Sequence, residues 1–346
     1  MRIGAHVSSA GGHHLVFERG RAIGAEAVQL FISAPQQWKL PACTGEQIDA
    51  FNAAREMHAL PAFFHGVYLM NFGSPDEGML ERSMASLRSY MHFAGLMGVA
   101  GTIFHVGSHL GAGFSDTMAR RIGGMLLDVL NDEPANPSLL ILENNAGQGN
   151  CIGGHFGELG ALIRAMDNHP RAAVCIDTCH AFSMGYDLAT EDGCQSAMAE
   201  FEQEIGFSRL AAVHANDTKQ PIGTFRDRHE NIGEGHIGLA GFRTLMAHPA
   251  FRDVPFLLEV PGFDGAGPDV KNVQRLKRLR RELAIDGPKL PRIPSTKKPK
   301  YLKTARIDSW AVRLHASQRL RARSSASRFS MACATKKSMT VESQRS

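Results

Sequence analysis

Short apolar or β-branched runs recur at 2–7, 26–31, 60–65, 101–105, 138–143, 172–177, 209–214 and 254–259, each followed by a stretch long enough to hold a helix. This alternation constrains the fold more than any other feature. A strand followed by a long crossover pairs in parallel with its neighbour, and a parallel sheet needs helices to cover it. The connecting stretches carry helix signals. Thr44 with Gln47 fits a capping box, and Ser74-Pro75-Asp76-Glu77 offers an N-cap, a proline at N1 and a carboxylate at N3. Leu80, Met84, Leu87, Met91 and Phe93 then follow near helical spacing over 80–97, and 116–130 and 155–167 read alike. Eight such units predict an α/β fold, a (β/α)8 TIM barrel over residues 1–286. An open doubly wound sheet is the other arrangement that alternation allows, but no G-x-G-x-x-G or G-x-x-x-x-G-K-[ST] motif supports nucleotide binding in it.

Residues 287–346 break the pattern. Gly287-Pro288 opens a segment punctuated by Pro291, Pro294 and Pro299, in which fifteen lysines and arginines face two acids, Asp308 and Glu342. That segment carries +13, so the chain's overall +4 leaves −9 on residues 1–286. The expectation is an acidic barrel with a basic, Pro/Arg/Ser-rich, poorly ordered tail, holding at most a short helix over 308–323 with Trp310, Leu314 and Leu320. No apolar run approaches the ~18 residues of a membrane span, and the opening Met1-Arg2-Ile3-Gly4-Ala5-His6 has neither an apolar signal core nor an amphipathic presequence. A cytoplasmic protein without membrane contact is expected. The six cysteines show no C-x-x-C pair and are expected to be free thiols.

In a barrel the C-terminal ends of the strands converge on one mouth. Here the runs end in His6, Phe31, His65, His105, Glu143, Asp177, His214 and Glu259, seven of eight being ionisable. A single such histidine is most simply a hydrogen-bonded core residue. Seven together need a cation to offset desolvation and mutual repulsion. His180 follows Asp177 by three positions, and Asp227-Arg228-His229 turns two further donors to one side. Imidazole and carboxylate without thiolate suit zinc, manganese or iron better than calcium or magnesium. Cys175 lies inside a buried-looking strand and is read as core. The nine candidate ligands His65, His105, Glu143, Asp177, His180, His214, Asp227, His229 and Glu259 exceed the needs of one ion and fit two or three.

These residues lie in long motifs: Ile3-Gly4-Ala5-His6-Val7-Ser8, Tyr68-Leu69-Met70-Asn71, Phe104-His105-Val106-Gly107-Ser108-His109 and Leu142-Glu143-Asn144-Asn145-Ala146-Gly147-Gln148-Gly149. Cys175-Ile176-Asp177-Thr178-Cys179-His180, Asn216-Asp217, Asp227-Arg228-His229 and Gly233-Glu234-Gly235-His236-Ile237-Gly238 follow, with Leu257-Leu258-Glu259 completing the set. From about residue 2 to 284 the chain resembles the endonuclease IV family of apurinic/apyrimidinic endonucleases. The resemblance implies three Zn2+ per chain: a first ion on His65, His105 and Glu143, a second on Glu143, Asp177, His214 and Glu259, and a third on His180, Asp227 and His229. It implies a base excision repair enzyme acting on double-stranded DNA that contains abasic sites. The phosphodiester 5′ to the site would be hydrolysed, leaving a 3′-hydroxyl and a 5′-deoxyribose phosphate, with trimming of blocked 3′ ends as a further activity. Glu143 would be the catalytic carboxylate, bridging two ions and orienting the attacking hydroxide.

For the DNA-contacting loops the resemblance implies Gln36, Gln37, Tyr68, Leu69 and His109, with Asn144 as a further residue near phosphate or ligands. One departure stands in Ser33-Ala34-Pro35-Gln36-Gln37-Trp38, where the family commonly has an arginine at Gln36; the amide can hydrogen-bond but carries no charge. A monomer is expected. Two other readings remain. A single-metal sugar isomerase or epimerase of a related barrel class would use Glu143, Asp177, His214 and Glu259, leaving the other five candidates without a duty. A nucleic-acid-binding factor would rest on the basic tail alone.

Overall fold

In the computed structural model all eight expected strands form: β1 Ile3–His6, β2 Val28–Leu30, β3 Ala62–His65, β4 Gly101–Phe104, β5 Leu139–Glu143, β6 Ala172–Asp177, β7 Leu210–His214 and β8 Phe256–Leu258. They are parallel and close in sequence order, β1 pairing with both β2 and β8. Closure decides for the barrel against the open sheet. The structure describes residues 1–290; the basic extension from 291 onward, with the short helix expected in it, lies outside the described residues. The helices are α1 Leu15–Ala22, α2 Gly45–His58, α3 Glu77–Leu96, α4 Asp116–Asp132, α5 Phe156–Ala165, α6 Thr178–Met184, α7 Glu191–Glu204, α8 Gly238–Ala247 and α9 Val270–Glu282.

Strand alternation separates two cores. Outward-facing Ile3, Val28, Phe64, Phe104, Leu142, Val174 and Phe256 pack against helical residues such as Phe17, Leu87, Leu126, Phe201 and Leu276. Inward-facing Ala27, Phe63, Ile103, Ile141, Cys175, Ala212 and Leu257 form a separate cluster inside the ring. Two residues further along each strand, the same inward side carries Gln29, His65, His105, Glu143, Asp177, His214 and Glu259. The functional layer is thus the next tier of the barrel's own interior.

Helix starts follow their caps. Ser115 Oγ accepts from Met118 N–H at the start of α4, Thr190 Oγ1 from Gly193 at α7 and Asp269 Oδ1 from Asn272 at α9. At α3 the cap lies two residues later than Ser74-Pro75 suggests. Asp76 accepts from Met79 N–H, and Ser74 Oγ accepts from Asp76 N–H, so Pro75 precedes the helix instead of opening it. At the opposite end of the barrel from the mouth, Arg280 of α9 donates to Glu26 and to the Met1 carbonyl, fastening the last helix to the first strand. Among the described residues no helix is long and apolar enough to cross a membrane.

Candidate metal centre

Glu143, at the end of β5, is fully buried and central. Its Oε2 lies 3.2 Å from His65 Nε2 and 3.5 Å from His105 Nε2, and its Oε1 lies 2.9 Å from His214 Nδ1 and 3.4 Å from His180 Nδ1. The two carboxylate oxygens therefore face different imidazole pairs. His214 Nδ1 also approaches Glu259 Oε2 at 3.5 Å and Asp177 Oδ2 at 3.9 Å, so three carboxylates converge on one ring nitrogen.

Asp177 has two tasks. It ends β6, and its Oδ1 caps α6 by accepting from His180 N–H at 2.9 Å, which carries His180 back over the mouth. Its Oδ2 is left for the cluster, 3.6 Å from His229 Nε2 and 2.7 Å from Asn216 Nδ2. Asp227 and His229 arrive on the long loop after β7, where His229–Glu230 pairs with Asp217–Thr218 as an antiparallel ribbon. Asp227 lies 3.3 Å from His180 Nε2 and 3.1 Å from His229 Nε2. All nine expected ligands thus meet at the mouth.

Backbone carbonyls orient several rings. His65 Nδ1–H donates to Gly66 at 2.8 Å, His180 Nδ1–H to Asn144 at 3.0 Å and His229 Nδ1–H to Glu259 at 3.3 Å, each turning Nε2 toward the carboxylates of the cluster. His229 Nε2 is buried without a hydrogen-bond partner. Such an orphaned nitrogen suits a ligand bond.

The electrostatics agree. Burial would raise the Glu143 carboxyl, but His105 and His214 hold it well below its usual range. Burial would lower His229, but Asp227 and Asp177 push it up to about 9. His214 is driven well above its ordinary value against burial, with Cys175, Glu143 and Glu259 as the cause. No lysine or arginine pairs with Glu143, Asp177, Asp227 or Glu259 among the described residues. Imidazoles are thus asked to supply all the positive charge, a task divalent cations perform in such donor sets. The residues fit a metal cluster of nitrogen and oxygen ligands. Cys179 lies beside Asp177 and His229, but burial pushes its thiol up to about 11, as it does that of Cys175 within the inner core.

The loop residues divide. Tyr68 is half-exposed, with its ring centroid 5.4 Å from that of His65 and 6.3 Å from that of His105, and Leu69 beside it is half-buried. Gln36 and Gln37 are exposed on the loop after β2, and no bond ties them to the cluster among the described residues. His109 Nδ1 accepts from Gly113 N–H and shapes its own loop. Asn144 is buried and spent on backbone: its Oδ1 accepts from Asp177 N–H at 2.6 Å and its Nδ2 donates to the Asp177 carbonyl, so it fastens β5 to β6 beside an expected ligand.

Sequence reasoning misses Gln29. Phe31, which ends the apolar run, points the search to the wrong residue, while counting two positions from Ala27 finds Gln29. Asp217 stands out in the sequence only as part of a motif. It is fully buried, and its carboxylate accepts from the N–H groups of Thr218, Gly233, Gly235, Ile237 and Gly238, pinning both ends of the loop that carries Asp227 and His229.

Residues 17–283 match a family model described as a xylose isomerase-like TIM barrel. Over 284 residues the chain is 39% identical to a probable endonuclease 4 of Streptomyces avermitilis, covering 80% of this chain and 90% of that protein. The crystal structure of endonuclease IV from Thermus thermophilus matches with a TM-score of 0.71 at 32% identity, covering 82% of this chain and all of that one (100%). A D-tagatose 3-epimerase-like protein matches with a TM-score of 0.64 at 16% identity, covering 82% of this chain and 98% of that one, and shares the fold alone. By its barrel, its long alignment with these endonucleases and the donors gathered at its mouth, the chain belongs to the endonuclease IV family of apurinic/apyrimidinic endonucleases.

Proposed function

We propose that this protein hydrolyses the phosphodiester 5′ to an abasic site in double-stranded DNA, leaving a 3′-hydroxyl and a 5′-deoxyribose phosphate, and that it does so with three zinc ions as a cytoplasmic monomer. Blocked 3′ ends would be trimmed at the same site. The observation that carries this reading is the division of Glu143, one oxygen toward His65 and His105 and the other toward His214 and His180. In it, His65, His105 and Glu143 hold one ion, Glu143, Asp177, His214 and Glu259 a second, and His180, Asp227 and His229 a third; the last two groups each converge tightly. Zinc bound there would acidify water near pH 7 and neutralise charge on the phosphoryl group and the departing 3′ oxygen.

The chain's own residues supply position and exclusion. Glu143, buried and held well below the usual carboxylate range by His105 and His214, would bridge two of the ions and orient the attacking hydroxide. Carbonyl-anchored His65, His180 and His229 hold their rings without reorganisation. Tyr68 walls the His65–His105 side and with Leu69 offers a surface for stacking against a baseless step. A one-metal isomerase would leave His65, His105, His180, Asp227 and His229 idle, and kinship here is with endonucleases.

The test is incision of a duplex bearing one abasic site, with the ends of the product identified and chelator added in parallel. Chelator-sensitive cleavage leaving a 3′-hydroxyl supports the reading. One metal per chain, with turnover of a free ketose and no incision, overturns it.

A further inference from the structure

Among the described residues, the barrel's interior tier holds two polar side chains outside the nine expected ligands, His6 and Gln29, which touch each other. Gln29 of β2 is fully buried, and its carboxamide touches three site residues. Its Nε2 lies 2.5 Å from Glu259 Oε1 and 2.9 Å from His6 Nδ1, and its Oε1 lies 2.8 Å from His214 Nε2. The carboxylate fixes which end of the amide is which, since only the NH2 can face Glu259. The oxygen therefore faces His214, and His214 Nε2 must carry the hydrogen. In the neutral ring that leaves the Nδ1 lone pair aimed at the point where Glu143, Asp177 and Glu259 converge.

We infer that Gln29 is a positioning residue for the ion that Glu143, Asp177, His214 and Glu259 would hold: it locks the His214 tautomer and, through the same amide, fixes the Glu259 carboxylate. His6, 3.2 Å from the same Glu259 oxygen, completes the support from β1. The inference deepens the metal reading above and rests on it. Among the other buried amides of the described residues, Asn144 reaches backbone, Asn145 Nδ2 lies 3.3 Å from His105 Nδ1, and Asn216 donates to the Asp177 carboxylate and accepts from the Glu259 backbone N–H, so Gln29 alone bonds to the side chains of two expected ligands.

The test compares wild type with Gln29→Met, which fills the same volume without polar atoms, and Gln29→Glu, which keeps an oxygen toward His214 but loses the donor toward Glu259. Each protein is dialysed against zinc buffers spanning a range of free zinc, and bound metal is counted; apo-protein melting is recorded beside it. Gln29→Met is expected to weaken one equivalent of zinc by about 10- to 100-fold, leaving the others in place and apo melting unchanged or raised. Gln29→Glu is expected to recover part of that loss. Wild-type zinc retention in Gln29→Met, or loss confined to apo melting, overturns the positioning role. A wild type that takes up no metal overturns the functional reading itself, so the two failures are distinguishable.

Discussion

Glu26, just ahead of β2, and Arg280 of the last helix meet beside the start of the first strand, with Arg280 Nη1 and Nη2 lying 2.6 and 3.0 Å from the two carboxylate oxygens. Lys277 Nζ is 2.9 Å from the same carboxylate, and the Ile3 N–H donates to it at 3.0 Å. Burial alone would raise the Glu26 carboxyl, but Arg280, Ile3 and Lys277 more than offset it and hold the pKa below its ordinary value. A depressed carboxyl contributes stability that is full above its unfolded pKa and lost as pH falls through the folded one. Stability should therefore decline below about pH 4.3, the ordinary glutamate value, partly on this account. Glu26→Gln, which leaves Arg280 buried without a counter-charge, should lower stability by about 3 kcal/mol at pH 7 and flatten the acid limb. Denaturant titrations at several pH values measure both.

Glu143→Gln should lose incision by at least about 100-fold while DNA affinity stays near wild type, because the carboxylate is fully buried among the imidazoles of the candidate ligands and would act on the ions they hold. Single-turnover incision and binding to an abasic duplex, measured side by side, would show the split. Retained incision would contradict the role given to Glu143.

Asp217→Asn should cost about 2 to 3 kcal/mol, because the carboxylate serves five backbone N–H donors and an amide turns a donor of its own toward them. The pinned loop comes close to this carboxylate: a Cβ on Gly235 would stand 2.5 Å from Asp217 Oδ1. The variant should also weaken the ion assigned to His180, Asp227 and His229 before the others. Thermal melts together with zinc counting check the pair of effects.

Phe225 sits two residues before Asp227 with φ at +54°, 48% exposed at the mouth, its N–H donating to the Ser183 carbonyl at 3.0 Å. A bulky residue held in this left-handed region marks stored strain of about 1 to 3 kcal/mol. Phe225→Gly should leave melting unchanged or raised, yet raise KM for abasic DNA by about 10-fold, the size of one lost stacking contact. An unchanged KM would show that the ring meets no DNA.

Removing residues 291–346 should weaken DNA affinity and reduce its salt dependence, with incision at saturating enzyme nearly intact, since the segment is strongly basic and carries none of the nine clustered donors. Affinity across a salt series reads this directly.

The fold was legible because strands covered on both sides read as continuous apolar runs, as in Leu139–Glu143 and Ala172–Asp177. The strand-end donors were legible for the same reason: charge ends an apolar run abruptly, as at Glu143 and Asp177. Gln29 was not, because it lies inside its run, and only the two-residue alternation from Ala27 reveals which side it faces. The service of Asp217 to the glycines near 233–238 joins a strand end to a loop without periodicity, so no sequence pattern announces it. The α3 start moved because Ser74 bonds to Asp76 N–H, a local turn that competes with capping.

The candidate ligands form the tier directly above Phe63, Ile103, Ile141 and Leu257, so ions bound there would be part of what holds the ring closed. An ion present at about 100 times its dissociation constant adds roughly 2.7 kcal/mol to the folded state. Scarcity of metal in the cell would then be felt as shortened protein lifetime, with the repair capacity disappearing by degradation before an intact but idle enzyme could accumulate.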